Sequence, residues 1–185
     1  YDQNKRDLPW RNTKDPYKIW ISEIILQQTR VKFAIDYYKN FIKKFPTIDS
    51  LSEAGEDDVL KLWQGLGYYS RARNIHYTSK ILKEKYLSIF PQKYDDIIKL
   101  KGIGRYTTGA ILSFSFKKKY PVVDGNVFRF FSRLFYINQF IDTNGGQNYF
   151  YTIAEKLMCE KDPDLFNQAI IEFGALVCKP KNPTC

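Results

Sequence analysis

Cysteine, histidine and methionine are scarce in this sequence: its 185 residues hold three, one and one of them. Cys159, Cys178 and Cys185 are too few for the disulfide framework of a small secreted domain. His76 follows "SRARN" and has no sequence partner for a histidine triad or an imidazole metal site, so a surface or packing role is expected. No apolar run approaches the roughly 20 residues of a membrane-crossing helix, and no signal-peptide pattern opens the chain. An intracellular protein is therefore expected, in the bacterial cytoplasm or in a eukaryotic nucleus or mitochondrion, with no membrane partner. The sequence opens on Tyr1 rather than Met and stops on Cys185, which reads as trimming at both ends. Acidic residues are the minority, 20 against 29 Lys and Arg, for a net charge of +9 spread along the chain. Such a balance points to nucleic acid, with a merely basic soluble protein as the alternative. Aromatic residues make up 17%, which favours a folded body with side chains that can stack on bases.

The length suits one domain or two small lobes. Apolar residues recur at helical spacing almost throughout, as in Ile97, Leu100, Ala110, Ile111 and Phe114, and later Phe128, Phe131 and Leu134. An all-α fold of about ten short helices is expected. Breaks are expected at Pro46, Pro91, the Lys117–Pro121 segment and Pro163, with turns at Gly65/Gly67, Gly102/Gly104 and Gly145/Gly146. In "DPYKIWISEIILQQT", Asp15 can cap and Pro16 suits the first helical position, predicting a helix from Pro16 to about Thr29. Glu23 then lies within that helix's apolar stripe. Either it sits at the stripe's edge and reaches water, or it is a desolvated carboxyl group with a raised pKa, poised as a general acid.

Asp124, in "YPVVDGNVFRFFSRLF", precedes an amphipathic run and suits an N-cap. Capping alone is one reading. The other adds that a helix N-terminus lowers a carboxylate's pKa. One carboxyl group pushed up and one pushed down is the pattern for splitting a glycosidic bond. The glycines of "LKGIGRYTTGAILSF" do not match the dinucleotide fingerprint, and the residues before them read as helix rather than strand. Two helices joined by a Gly-apolar-Gly turn instead present backbone N–H groups to a phosphate, with Gly102, Gly104, Arg105 and Thr107 as the candidate contacts.

"LPWR", "SEIILQQTR", "WQGLGYYSRARN", "LKGIGRYTTGAILS", "VVDGNVFR" and "FNQAIIEFGALVC" together resemble the helix-hairpin-helix DNA glycosylases, and within them the MutY-type adenine glycosylases. The resemblance covers essentially the whole chain. It implies a six-helix lobe over 20–125 and a second lobe from 1–19 and 126–185, with the active site in the cleft between them. It also implies that Glu23 protonates adenine at N7 and that Asp124 stabilises the sugar cation or briefly traps it, with Tyr106 and Asn126 supporting the two carboxyl groups. Trp10, Leu26 and Gln168 match positions lining an adenine pocket, although some relatives carry Glu at the last. Gln28, Tyr68 and Tyr69 resemble the wedge that fills the duplex when adenine is flipped out. Cys178 and Cys185, in "CKPKNPTC", match the first half of a four-cysteine loop that binds a 4Fe–4S cluster. The second half is absent, as is the family's C-terminal domain, and Cys159 is expected in the core of a helix.

The activity so implied is monofunctional removal of adenine opposite 8-oxoguanine or guanine in double-stranded DNA, by a monomer, as a step of base excision repair. Two alternatives stay open: an endonuclease III-like glycosylase/lyase, which would need a lysine at Tyr106, and a non-catalytic helix-hairpin-helix DNA-binding module.

Overall fold

A computed structural model describes all residues from Tyr1 to Cys185. The chain is all-helical, with no strand. A 3-10 turn at Pro9–Arg11 precedes α1 (Pro16–Leu26), α2 (Val31–Lys44), α3 (Ile48–Ser52), α4 (Glu56–Trp63) and α5 (Ser70–Tyr86). There follow α6 (Tyr94–Ile97), α7 (Arg105–Phe116), α8 (Gly125–Leu134), α9 (Asn144–Leu157) and α10 (Pro163–Leu176). No helix is long and apolar enough to cross a membrane. The chain divides into two compact units, Leu8–Ile111 and Tyr1–Asp7 with Leu112–Cys185, so the division falls inside α7.

Local signals start the helices. The Asp15 carboxylate accepts the Tyr17 N–H at 2.9 Å, and Pro16 occupies a position that needs no donor. Thr47 and Ser50 form a reciprocal capping box on α3. Thr143 caps α9 by accepting the Gly146 N–H at 3.1 Å. Gly145 and Gly146, which read as a turn, therefore lie in the first turn of α9, where a Cβ on Gly146 would run into the Phe140 carbonyl.

Within the Leu8–Ile111 unit α1 is central. Tyr17, Ile19, Trp20, Ile21, Ile24 and Ile25 are all buried, so the helix is apolar all round rather than along one stripe, and Ser22 and Glu23 are buried with it. Trp20 meets Phe90 edge-on at 5.6 Å and Phe41 meets Trp63 at 6.2 Å, the arrangement that ring quadrupoles prefer. The helix stops at Leu26, short of Thr29: Gln27 leaves helical backbone with ψ 113°, and Gln28 follows in left-handed backbone with φ 57°.

In the other unit α8, α9 and α10 enclose Val123, Val127, Phe131, Phe150, Tyr151, Ala154 and Ile170. Asn167 is fully buried on α10 and fixes the extended segment ahead of α8. It accepts from Val122 N at 3.1 Å and donates to Tyr120 O at 2.9 Å and Ser113 Oγ at 2.8 Å. The N-terminal segment is held to α10 by Arg6, which donates to Glu172 from its backbone N–H (2.7 Å), Nε (2.9 Å) and Nη2 (2.7 Å).

Two stability predictions follow from the packing. Glu172 is 4% exposed and Arg6 33%. Arg6→Met removes the cation opposite a buried carboxylate and should cost about 3 kcal/mol in urea unfolding. Glu172→Gln leaves a cation that can turn towards water and should cost about 1 to 2 kcal/mol. The reverse order would show that burial does not set the cost. His76 is buried, 4% exposed, with Nε2 2.9 Å from the Ala54 carbonyl. Burial, then the nearby Lys80, holds its imidazole below the ordinary histidine pKa. The unfolded chain therefore takes up the proton first, and this contribution to stability is complete above about pH 6.5 and is lost as pH falls towards the lower folded value. Relative to His76→Gln, the wild-type chain should lose stability below that pH by at most ~1.4 kcal/mol per pH unit, the limit for one proton. Parallel pH profiles for the two proteins would refute this.

Candidate active site and nucleic-acid interface

Asp124 sits at the N-cap of α8 and takes hydrogen bonds on both oxygens. Oδ1 accepts from the N–H groups of Asn126 (3.0 Å) and Val127 (2.9 Å), and Oδ2 accepts from Asn126 Nδ2 at 2.7 Å. Three donors converge on this carboxyl group, and Asp124 and Asn126 form one hydrogen-bonded unit. Arg129, one turn along α8, was not singled out in the sequence. Its Nη2 donates to Asn126 Oδ1 at 2.9 Å, which leaves the Asn126 amide nitrogen turned towards Asp124. The same Nη2 donates to Gly174 O at 2.7 Å, and Nε donates to Cys178 O at 2.7 Å. The i, i+3 spacing of Asn126 and Arg129 is the sequence signal that could have found this pair.

Gly174 brings α10 against this site. A Cβ there would lie 2.7 Å from Asn126 O and 2.8 Å from Asn126 Cβ. An isolated glycine inside a helical pattern is the signal for such an approach. Arg6 lies within electrostatic reach of Asp124. Hydrogen bonding to Glu172 raises the Arg6 pKa above its ordinary value, burial opposes this, and Asp124 adds to the rise. Gln168 is half-buried on α10 and accepts from Tyr1 Oη at 2.6 Å.

The remaining candidates other than the cysteines belong to the Leu8–Ile111 unit, with Glu23 6% exposed on α1. Its neighbours along that helix are apolar but for Ser22, which bonds back to Ile19 O at 2.7 Å. Trp10 is 8% exposed and meets Tyr38 edge-on at 5.5 Å, and burial pushes the Tyr38 phenol up to about 12. Leu26 is the last residue of α1. Gln28 and Tyr68 are exposed residues in left-handed backbone, with φ 57° and 47°, and Tyr69 is exposed beside them.

The glycine turn joins α6 to α7. Gly102 has φ 82°, and a Cβ on it would lie 2.8 Å from Asn74 Cβ, so glycine is required twice over. Gly104 has neither constraint, since nothing lies within 4 Å of its Cβ position. Ile103 is buried between them, and Thr78 Oγ1 holds Lys101 O at 2.9 Å. The bond from Thr108 N to Gly104 O (2.9 Å) is the first turn's earliest intrahelical bond, so the N–H of Thr107 has no acceptor within the helix. Thr107 as a whole is buried, 2% exposed. Arg105 is exposed, and Tyr106 is half-buried in the same turn.

The cysteine loop closes on itself through Thr184 N, which donates to Val177 O at 3.1 Å. Arg133 donates to Lys179 O (2.7 Å) and Pro180 O (3.1 Å) and reaches Cys178 Sγ at 3.5 Å. Cys178 is buried and Cys185 exposed, and no three His, Cys, Asp or Glu side chains gather into a metal site. A 4Fe–4S cluster takes four ligands, so the residues present do not fit a complete one. Cys159, expected in a helical core, is instead exposed: α9 ends at Leu157, and Met158 takes the buried position after it.

Residues 21–148 match the model of the HhH-GPD superfamily of base excision DNA repair proteins. A protein of Buchnera aphidicola subsp. Baizongia pistaciae named adenine DNA glycosylase is 50% identical over 98% of this chain and 51% of its own length. The human protein of the same name is 39% identical over all of this chain and 36% of its own. The chain thus spans about half the length, or less, of the curated relatives it matches. Among solved structures, a thermostable thymine-DNA glycosylase superimposes with a TM-score of 0.91 at 28% identity, covering all of this chain and 85% of that one. Endonuclease III in a non-covalent DNA complex shares the fold, with a TM-score of 0.82 at 23% identity over 95% of this chain and 81% of that one. With more than half of its residues matched by the family model and its helices arranged as described, the chain belongs to the HhH-GPD superfamily of base excision DNA repair proteins.

Proposed function

We propose that the chain is a monofunctional DNA glycosylase that hydrolyses the bond between adenine and deoxyribose where adenine is mispaired with 8-oxoguanine or guanine. One observation carries the reading: two carboxyl groups in opposite settings, Glu23 buried in an apolar helix and Asp124 at a helix start with three donors. The match to relatives named adenine DNA glycosylase supports the choice of base. In this reaction Glu23 delivers a proton to adenine N7, the electrons of the C1′–N9 bond pass to the base, and adenine leaves neutral. Asp124 offsets the positive charge on the sugar, and water adds at C1′ to leave an abasic site. Asn126 keeps the Asp124 carboxylate in place, with Arg129 behind it.

The hairpin N–H groups and the dispersed Lys and Arg side chains supply affinity for duplex DNA through its phosphates. Gln28 and Tyr68 fill the space that the extruded nucleotide leaves. The protein acts as a monomer. Cys178 and Cys185 are the half of a 4Fe–4S ligand set that this chain holds, and no step of the reaction runs through it.

Release of adenine from duplexes with A opposite 8-oxoguanine, A opposite guanine and A opposite thymine tests the assignment directly. Glu23→Gln should keep duplex binding and lose at least ~100-fold in single-turnover release, the lower range for a positioned general acid. A rate near wild type would remove Glu23 from the mechanism. The lyase alternative turns on Tyr106, whose phenol cannot form the Schiff base that a lysine amine forms. Wild-type protein should release adenine without nicking the strand, and borohydride should trap little covalent complex. Tyr106→Lys should gain trappable adducts and some strand cleavage while releasing adenine more slowly. If its adducts do not exceed those of wild type, Tyr106 does not face the sugar.

A further inference from the structure

Arg71 is a cation without a carboxylate. It is 9% exposed, and burial pulls its pKa below the ordinary arginine value. In place of an anion it has five backbone carbonyls. Nη1 donates to Ile24 O (3.0 Å), Ile25 O (3.3 Å) and Gln27 O, and Nη2 donates to Leu66 O (3.2 Å) and Gly67 O (3.3 Å). The rings of Trp63 and Tyr68 lie 5.3 and 5.7 Å from Cζ. A buried charge is expensive, so a clamp of this kind calls for a reason.

The two segments that Arg71 grips share an unusual property. Directly after Gln27 comes Gln28 at φ 57°, and directly after Gly67 comes Tyr68 at φ 47°. Left-handed backbone is unfavourable for a non-glycine residue, and it persists where the surroundings impose it. Both strained residues are solvent-facing, Tyr68 at 65% exposure, so burial of their own side chains does not repay the strain. Arginine's planar fork can bond two chain segments at once, which a lysine ammonium on its flexible stem does poorly.

We propose that Arg71 is the positioning residue of the DNA wedge: by gripping the carbonyls before Gln28 and before Tyr68, it holds both side chains out at the height needed to enter the duplex together. The proposal rests on the reading that this chain extrudes a nucleotide. It gives the buried charge a role separate from glycosidic cleavage.

Arg71→Lys in the whole chain is the test, with three readouts. Binding to undamaged duplex should stay within ~2-fold of wild type, because phosphate contacts supply it. The fluorescence rise of 2-aminopurine placed at the target position, which reports extrusion without cleavage, should fall by more than half. Single-turnover adenine release should drop by ~10- to 100-fold, the scale of a misplaced reacting group. That loss should shrink when adenine lies opposite a tetrahydrofuran abasic residue, where leaving the stack costs less. Unchanged 2-aminopurine fluorescence, or an equal slowing on both substrates, would mean that Arg71 only stabilises the fold and would overturn the proposal. If Arg71→Lys does not fold, Gln28→Gly/Arg71→Lys should, since glycine carries no cost at φ 57°; a double variant that stays unfolded also overturns it. A wild-type chain that extrudes 2-aminopurine but releases no adenine would refute the proposed function while leaving the Arg71 comparison intact.

Discussion

An α-helix leaves four N–H groups at its start and four C=O groups at its end without partners inside it, and every such group removed from water must find one. Ten short helices multiply that constraint, and the notable side chains of this protein are its answers. Asp124 receives the first N–H groups of α8. Arg71 takes the last carbonyls of α1, and Arg129 takes Gly174 O in the last turn of α10 and Cys178 O just beyond it. At the start of α7 the earliest intrahelical bond runs from Thr108 N to Gly104 O, so the Thr107 N–H has no acceptor inside the helix.

Stability and chemistry are therefore carried by the same atoms. The donors that cap α8 also hold the carboxylate proposed to face the sugar cation, and the Asn126 amide joins them only because Arg129 occupies its oxygen. Gly174 makes this possible sterically, since any side chain there would displace Asn126. On the other unit, the strain at Gln28 and Tyr68 sits at the ends of segments whose carbonyls converge on one guanidinium.

Signals that act within a few residues were legible in the sequence. Asp15 before Pro16 and Asp124 before Gly125 mark helix starts, because a cap reaches only the next two or three N–H groups. Gly102 reads as a turn because its φ and its contact with Asn74 both refuse a side chain. Helix ends were harder. No residue type near Leu26 marks the end of α1, and the Arg71 that takes its last carbonyls lies more than forty residues on, so the sequence pattern runs through to Thr29. Cys159 was misplaced for a related reason. Its depth depends on the early end of α9, which is not written beside it, whereas His76 takes the packing alternative against Ala54.

By itself, then, the sequence determined the helical class, where most helices begin, the glycine turn and Asp124 at a helix start, because periodicity and caps are short-range. Only the tertiary structure decided that α1 is buried on all sides and carries Glu23 inside with it. It also decided that Gly174 admits Asn126 and that Arg129 and Arg71 bond groups far from them in the chain. Those outcomes depend on satisfying backbone oxygens and excluding water between segments far apart in the chain, and no local pattern of residues encodes a partner dozens of positions away.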